Sequence, residues 1–135
     1  MNRPIGHYSQ AIRVPAGGDL LFISGLTSRD QSGQVVGADD VGRQTRQILT
    51  NMTALLAEVG ATLDDLVKLT VFVRDIKDAP AINEVRMELI GSEPPASSLV
   101  QVAGLADERF RLEIEGVALI PQASEPGGEL AARRQ

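Results

Sequence analysis

Residues 41–73, VGRQTRQILTNMTALLAEVGATLDDLVKLTVFV, change their hydrophobic period once, and that change decides the fold. Val41, Ile48, Met52, Leu55, Leu56 and Val59 recur at helical spacing and predict one buried helix face. Asp39 or Asp40 stands before the run as a capping residue, and Gly60 follows its end. TLDDL (62–66) opens on another capping residue and predicts a short helical turn. VKLTVFV (67–73) then reads as a strand, rich in β-formers and apolar on both sides.

Working outward, HYSQAIRV (7–14) and DLLFISG (19–25) read as strands joined by the AGG turn (16–18), which predicts a hairpin. DQSG (30–33) is a second turn, followed by the short QVVG (34–37). Asp78 and Pro80 open a second helix, APAINEVRMELI (79–90), with Ile82, Val85 and Leu89 inward. The pair Pro94–Pro95 stops helical structure and pushes the chain into extended conformation. SLVQV (98–102) and RLEIEGVALI (111–120) supply two more strands. The expectation is an α+β domain over residues 1–121: one mixed sheet of about six strands with two helices on one face. Residues 122–135, rich in Gly, Pro, Ser and charge, are expected to form a disordered tail. Two helices leave the other sheet face for solvent or a second subunit, and the two-sided apolarity of KLTVFV and RLEIEGVALI points to a subunit.

At 135 residues the chain fits one domain, and with no Trp, one Tyr and three Phe its core must be aliphatic. A net charge of -5 and scarce aromatics offer nucleic acid neither phosphate contacts nor stacking surfaces. The lack of cysteine removes disulfides, thiolate nucleophiles and zinc–thiolate sites. The single histidine, His7, gives no metal-ligand pair. MNRPIGHYSQ at the N-terminus carries no apolar run, so neither a signal peptide nor a membrane span is expected, and a cytoplasmic protein is.

The runs IGHYSQAIRV, LLFISGLTSRDQSGQVVG, QTRQILTNMTALLAEVGATLDDLVKLTVFVRDI, AINEVRMEL, PPASSLVQVAGL and RLEIEGVAL together resemble the RidA/YjgF/UK family over roughly residues 5–121. These are the reactive-intermediate deaminases, also labelled L-PSP endoribonucleases. The resemblance implies a homotrimer of chorismate-mutase-like subunits with a ligand cleft between neighbours. It implies hydrolysis of small enamines or imines, such as 2-aminoacrylate, to 2-keto acids and ammonia, with no metal or organic cofactor. A protein assists that chemistry by holding the substrate, positioning water and moving protons.

Residue by residue, the resemblance implies that Tyr8 lines the cleft as a catalytic-site tyrosine and that Glu113 positions or activates the water. Read from the residues alone, Tyr8 is an amphipathic side chain on an exposed strand. Glu113 and Glu115, two apart on one strand face, could equally be a polar interface pair. Ser24, beside the permissive Gly25, and Asn83 on the second helix match substrate-binding positions of the cleft. In the deaminating branch the segment after the proline reads Ala-Arg-Ser-Cys or similar, and its arginine clamps the substrate carboxylate. Here Ser97 stands in that register, followed by Ser98, with Leu99 where the cysteine often sits. A guanidinium–carboxylate clamp is worth roughly 1.5–3 kcal/mol, so its loss costs about ten- to a hundredfold in binding. Arg86 shares a helix face with Asn83. It either reaches into the cleft as a substitute anchor or lies in solvent paired with Glu84 or Glu88. Arg29 is a weaker candidate of the same kind, and His7 is a surface histidine or a general base near the cleft mouth. Asp39, Asp40, Asp64 and Asp65 read as helix caps or first-turn acids.

Three functions compete. A divergent imine or enamine hydrolase, with a substrate other than 2-aminoacrylate, stands first. A non-catalytic metabolite-binding or chaperone-like trimer is the alternative. A ribonuclease or translation inhibitor ranks last, given the charge and the few aromatics. No membrane or nucleic-acid partner is expected.

Overall fold

In the computed structural model, residues 6–15 and 17–122 and the backbone of residues 133–134 are described. Its elements are β1 (Ile12–Arg13), β2 (Asp19–Leu26), α1 (Val41–Ala57), β3 (Leu66–Val73), α2 (Ala79–Leu89), β4 (Ala96–Gln101), β5 (Leu112–Ile120) and β6 (Arg133–Arg134). The architecture is α+β: two helices against a mixed sheet in the order β2-β5-β3-β4. β5 runs antiparallel to both β2 and β3, while β3 and β4 pair in parallel across the α2 crossover.

The local signals work where they were expected to. Asp40 caps α1, its carboxylate accepting from the Arg43 N–H at 3.0 Å. Thr62 and Asp65 form a reciprocal capping box on the short turn before β3. Pro80 sits in the first turn of α2, but Asp78 does not cap that helix with its side chain. Asp78 instead accepts from Arg111 Nε at 3.0 Å and Nη2 at 2.7 Å, tying the start of α2 to the start of β5.

Some expectations fail. Among the described residues the sheet has four strands rather than about six. The hairpin predicted between 7–14 and 19–25 is absent among the described residues, since β1 pairs antiparallel with β6. Residues 6–10 lie beside the start of β4, with Ser9 bridged to Ala96 and its N–H donating to the Pro95 carbonyl at 2.9 Å. The β4 edge offered an open partner that adjacency in sequence did not reveal. The tail expected over 122–135 falls mostly outside the described residues; Arg133 and Arg134 themselves pair as a strand. On α1, Leu55 and Val59 are exposed rather than inward. The helix ends at Ala57, so its period no longer governs Val59, and Leu55 borders a surface hollow with Gln31 and Asn51.

Leu69, Val71 and Val73 of β3 and Leu112 and Ile114 of β5 meet Ile48, Met52 and Leu56 of α1 and Ile82 of α2 in one core. Each fully buried Leu or Ile contributes about 1.5–3 kcal/mol. Among the described residues no element covers the opposite sheet face. Alternation along the paired strands puts Phe22, Lys68, Thr70, Phe72, Ser98, Val100, Glu113 and Glu115 there. Phe22 is 74% exposed and Leu20 43%, a large apolar exposure for one sheet face. No described helix is long and apolar enough to cross a membrane.

Candidate active site

On the uncovered face, β2 slips register against β5 between Ile23 and Leu26, a bulge that contains Ser24 and Gly25. The Glu113 side chain of β5 lies over that bulge. A Cβ on Gly25 would stand 2.7 Å from the Glu113 carboxyl carbon, so glycine is what lets the carboxyl group approach. Gly25, Phe72, Val102, Leu105, Glu113 and Glu115 line a cavity of about 300 Å³. Among the described residues the Glu113 carboxylate has no hydrogen-bond or ion-pair partner. A free carboxylate beside an aromatic wall can accept a proton from a water held there. Ser24 is exposed in the same bulge.

The second group lies on the helix side, where the N-terminal segment crosses α2 and β4. His7 Nε2 sits 3.1 Å from both the Ile90 and the Gly91 carbonyl oxygens, at the end of α2. Ser9 donates its hydroxyl to the Pro94 carbonyl. Pro94 and Pro95 have no N–H, so they present only acceptors to this segment. Gly6 fits between the Tyr8 ring and Asn83; a Cβ there would meet Tyr8 Cδ1 at 3.3 Å and Asn83 Nδ2 at 3.9 Å. Beside them Arg86 is only 3% exposed. Its Nη1 reaches Asn83 Oδ1 at 3.5 Å and its Nη2 the His7 carbonyl at 3.4 Å, both long for hydrogen bonds. Its Nε is buried with no partner, as is the Ser97 Oγ. Burial without a counter-charge pulls the Arg86 guanidinium down to about 10.

The candidates therefore form two clusters on opposite sides of one sheet. Tyr8, Asn83 and Arg86 come together on the helix side, which Ser97 of β4 also faces, and Ser24, Gly25 and Glu113 on the uncovered side. The serine pair is split. Ser97 pairs with Leu69 and faces the helices, whereas Ser98 pairs with Thr70 and its Oγ accepts from Lys68 Nζ at 3.1 Å on the other face. Leu99 packs against the core from the helix side. Arg86 does not lie in solvent paired with Glu84 or Glu88: it is buried, Glu84 is exposed and Glu88 is ion-paired with Arg46. Arg29 is committed elsewhere. It donates to the Gly33 carbonyl at 2.8 Å, stacks 4.9 Å above the Phe110 ring and pairs with Asp107 at 3.8 Å. Hydrogen bonds from Arg109, with Arg29 nearby, hold the Asp107 carboxyl well below the usual carboxylate range.

Phe72, Val102 and Leu105 line the cavity but were not among the residues singled out from sequence. The alternation of KLTVFV placed Phe72 on one face with Lys68 and Thr70, and that signal could have found it. Among the described residues no group of three His, Cys, Asp or Glu could hold a metal ion.

The endoribonuclease L-PSP family model matches residues 1–120. A RutC family protein of Pyrococcus abyssi is 38% identical over 117 residues, 86% of this chain and 88% of that protein. A 2-iminobutanoate/2-iminopropanoate deaminase of Dermatophagoides farinae is 36% identical over 118 residues, 87% of this chain and 89% of that protein. Among solved structures, a Rid-family protein of Yersinia pestis superposes with a TM-score of 0.76 at 31% identity, covering 84% of this chain and 86% of that one.

Proposed function

The chain belongs to the Rid family, the group described by the endoribonuclease L-PSP model, and from that premise we propose that it hydrolyses the C=N bond of a reactive imine, releasing ammonia and a carbonyl product. The observation that carries this reading is the Glu113 carboxylate. It has no partner among the described residues and is seated over Gly25 in a small cavity, in a chain similar to a deaminase of 2-iminobutanoate and 2-iminopropanoate.

An enamine substrate first moves a proton from nitrogen to carbon and becomes the imine. Glu113 takes a proton from the water as its oxygen attacks the imine carbon. Glu113 returns that proton to nitrogen, giving the carbinolamine, and then takes the hydroxyl proton and passes it to the amino nitrogen as the C–N bond breaks, which leaves the carbonyl and ammonia. Proton transfer of this kind contributes about 10²–10⁴-fold.

The proposed site lies between two copies of the chain. Glu113 and the bulge come from the uncovered face of one subunit, and Tyr8, Asn83 and Ser97 from the β4 edge of its neighbour. Exposed Leu20, Phe22 and Val100 support burial of that face against another copy, and the proposed assembly is a homotrimer. Because Ser97 stands in place of a clamping arginine, the proposed substrate differs from 2-aminoacrylate.

The test generates 2-iminobutanoate, 2-iminopropanoate and bulkier imines in situ and follows keto-acid release with and without protein. Acceleration of at least one imine, lost by about a hundredfold or more in Glu113→Gln, is expected. No acceleration of any imine, or a fully active Glu113→Gln, would overturn the reading.

A further inference from the structure

We propose that Arg86 is the anion anchor of this cleft, its guanidinium receiving, with the Ser97 hydroxyl, the carboxylate of a 2-imino or 2-oxo acid. The inference deepens the site described above and rests on that site being the ligand cleft.

The first observation is a buried cation without a counter-ion. Arg86 is 3% exposed, and among the described residues no carboxylate pairs with it. A guanidinium in that position is strongly disfavoured unless charge and hydrogen bonds compensate. Two contacts of 3.4 and 3.5 Å do so poorly. The second observation is independent. The Ser97 Oγ, on another element, is also buried without a partner. Ser97 follows Ala96, which Ser9 bridges, and Arg86 reaches the His7 carbonyl of that same N-terminal segment. Two unmet polar groups thus face the helix side of the β4 entrance, one a fork of donors and one a hydroxyl. A carboxylate completes both, since its two oxygens match the guanidinium fork and can also accept from a hydroxyl.

The arrangement also indicates how this cleft selects ligands. The charge comes from α2, beside Asn83, and not from β4. A bound acid is held from the helix side, which leaves Ser97 as a small neighbour where a long side chain would take up room.

The probe is 2-oxobutanoate, with its methyl ester as the uncharged control, titrated by calorimetry into the intact protein and its variants. Wild type is expected to bind the acid and to discriminate against the ester. Arg86→Met should weaken the acid by about ten- to a hundredfold while leaving the ester unchanged, and Arg86→Lys should recover part of the loss. Ser97→Ala should weaken the acid by a few-fold, about what one neutral hydrogen bond is worth. Each variant is checked for folding by circular dichroism. If Arg86→Met does not fold, Arg86→Lys and Ser97→Ala carry the test by their acid-to-ester ratio. Unchanged acid binding in a folded Arg86→Met, equal loss of acid and ester, or no saturable binding by wild type up to about 10 mM overturns the proposal. Acid binding without imine turnover contradicts the hydrolase alone, while turnover with an unaltered KM in Arg86→Met contradicts the anchor alone.

Discussion

Gln44 on α1 and Arg86 on α2 are both buried polar side chains facing inward from a helix, and they differ in what surrounds them. Gln44 donates to the Gly37 carbonyl at 2.9 Å and the Arg109 carbonyl at 2.7 Å, and accepts from the Arg111 N–H at 2.8 Å. It stitches the loop before α1 to the start of β5, and its amide is almost fully used. Arg86 has longer contacts, an unused Nε and, among the described residues, no opposite charge paired with it. On the proposed reading, the difference separates a group kept for the fold from one kept for a ligand. Buried polar groups are ordinarily satisfied, and an exception calls for a reason.

Substitution should divide the two regions by sign. Gln44→Leu leaves the Arg111 N–H and two carbonyls without their partner and is expected to cost about 2–4 kcal/mol in denaturant unfolding. A loss well under 1 kcal/mol there would remove the contrast. Arg86→Met removes a desolvated charge and is expected to leave stability unchanged or to raise it by about 1–3 kcal/mol. A marked fall in Tm would recast Arg86 as structural. Asp40→Ala deletes one exposed cap beside Gln44 and should cost about 1 kcal/mol, which calibrates an ordinary hydrogen bond in the same region.

The smallest effect is the pH dependence of the Arg86 term. Its folded value lies near 10, below the ordinary arginine range, so the charged form is penalised in the folded state. The stability difference between Arg86→Met and wild type should therefore be flat below about pH 10 and narrow as pH rises above it. A gap that widens with pH would contradict the sign.

The sequence made some of this legible. Asp40, Thr62 and Pro80 announce helix starts through chemistry confined to a few residues, and the two-residue alternation of β5 puts Glu113 and Glu115 on one face, whereas β3 was read as apolar on both sides although its burial alternates. Glu113 and Gly25 were recognised through resemblance, but their close approach depends on a bulge between β2 and β5 that neither strand reveals by itself. The burial of Arg86 was not readable. Its neighbours Glu84, Met87 and Glu88 suggest a solvated face, and what covers it is a segment some 79 residues away, crossing α2 at His7. The same segment defeated the hairpin reading, because its partner is the carbonyl edge at Pro94–Pro95. Long-range contacts decided both cases.

The central claim is a site shared between neighbouring copies, with Glu113 from one and Arg86 from the next. Co-expressing Arg86→Met and Glu113→Gln chains and assaying imine hydrolysis below KM tests it most directly. Random assortment in a closed ring leaves about a quarter of the sites with both groups intact. Mixed oligomers are expected to be well above either parent variant, approaching that fraction of wild-type activity. A mixed preparation no more active than its parents would contradict it.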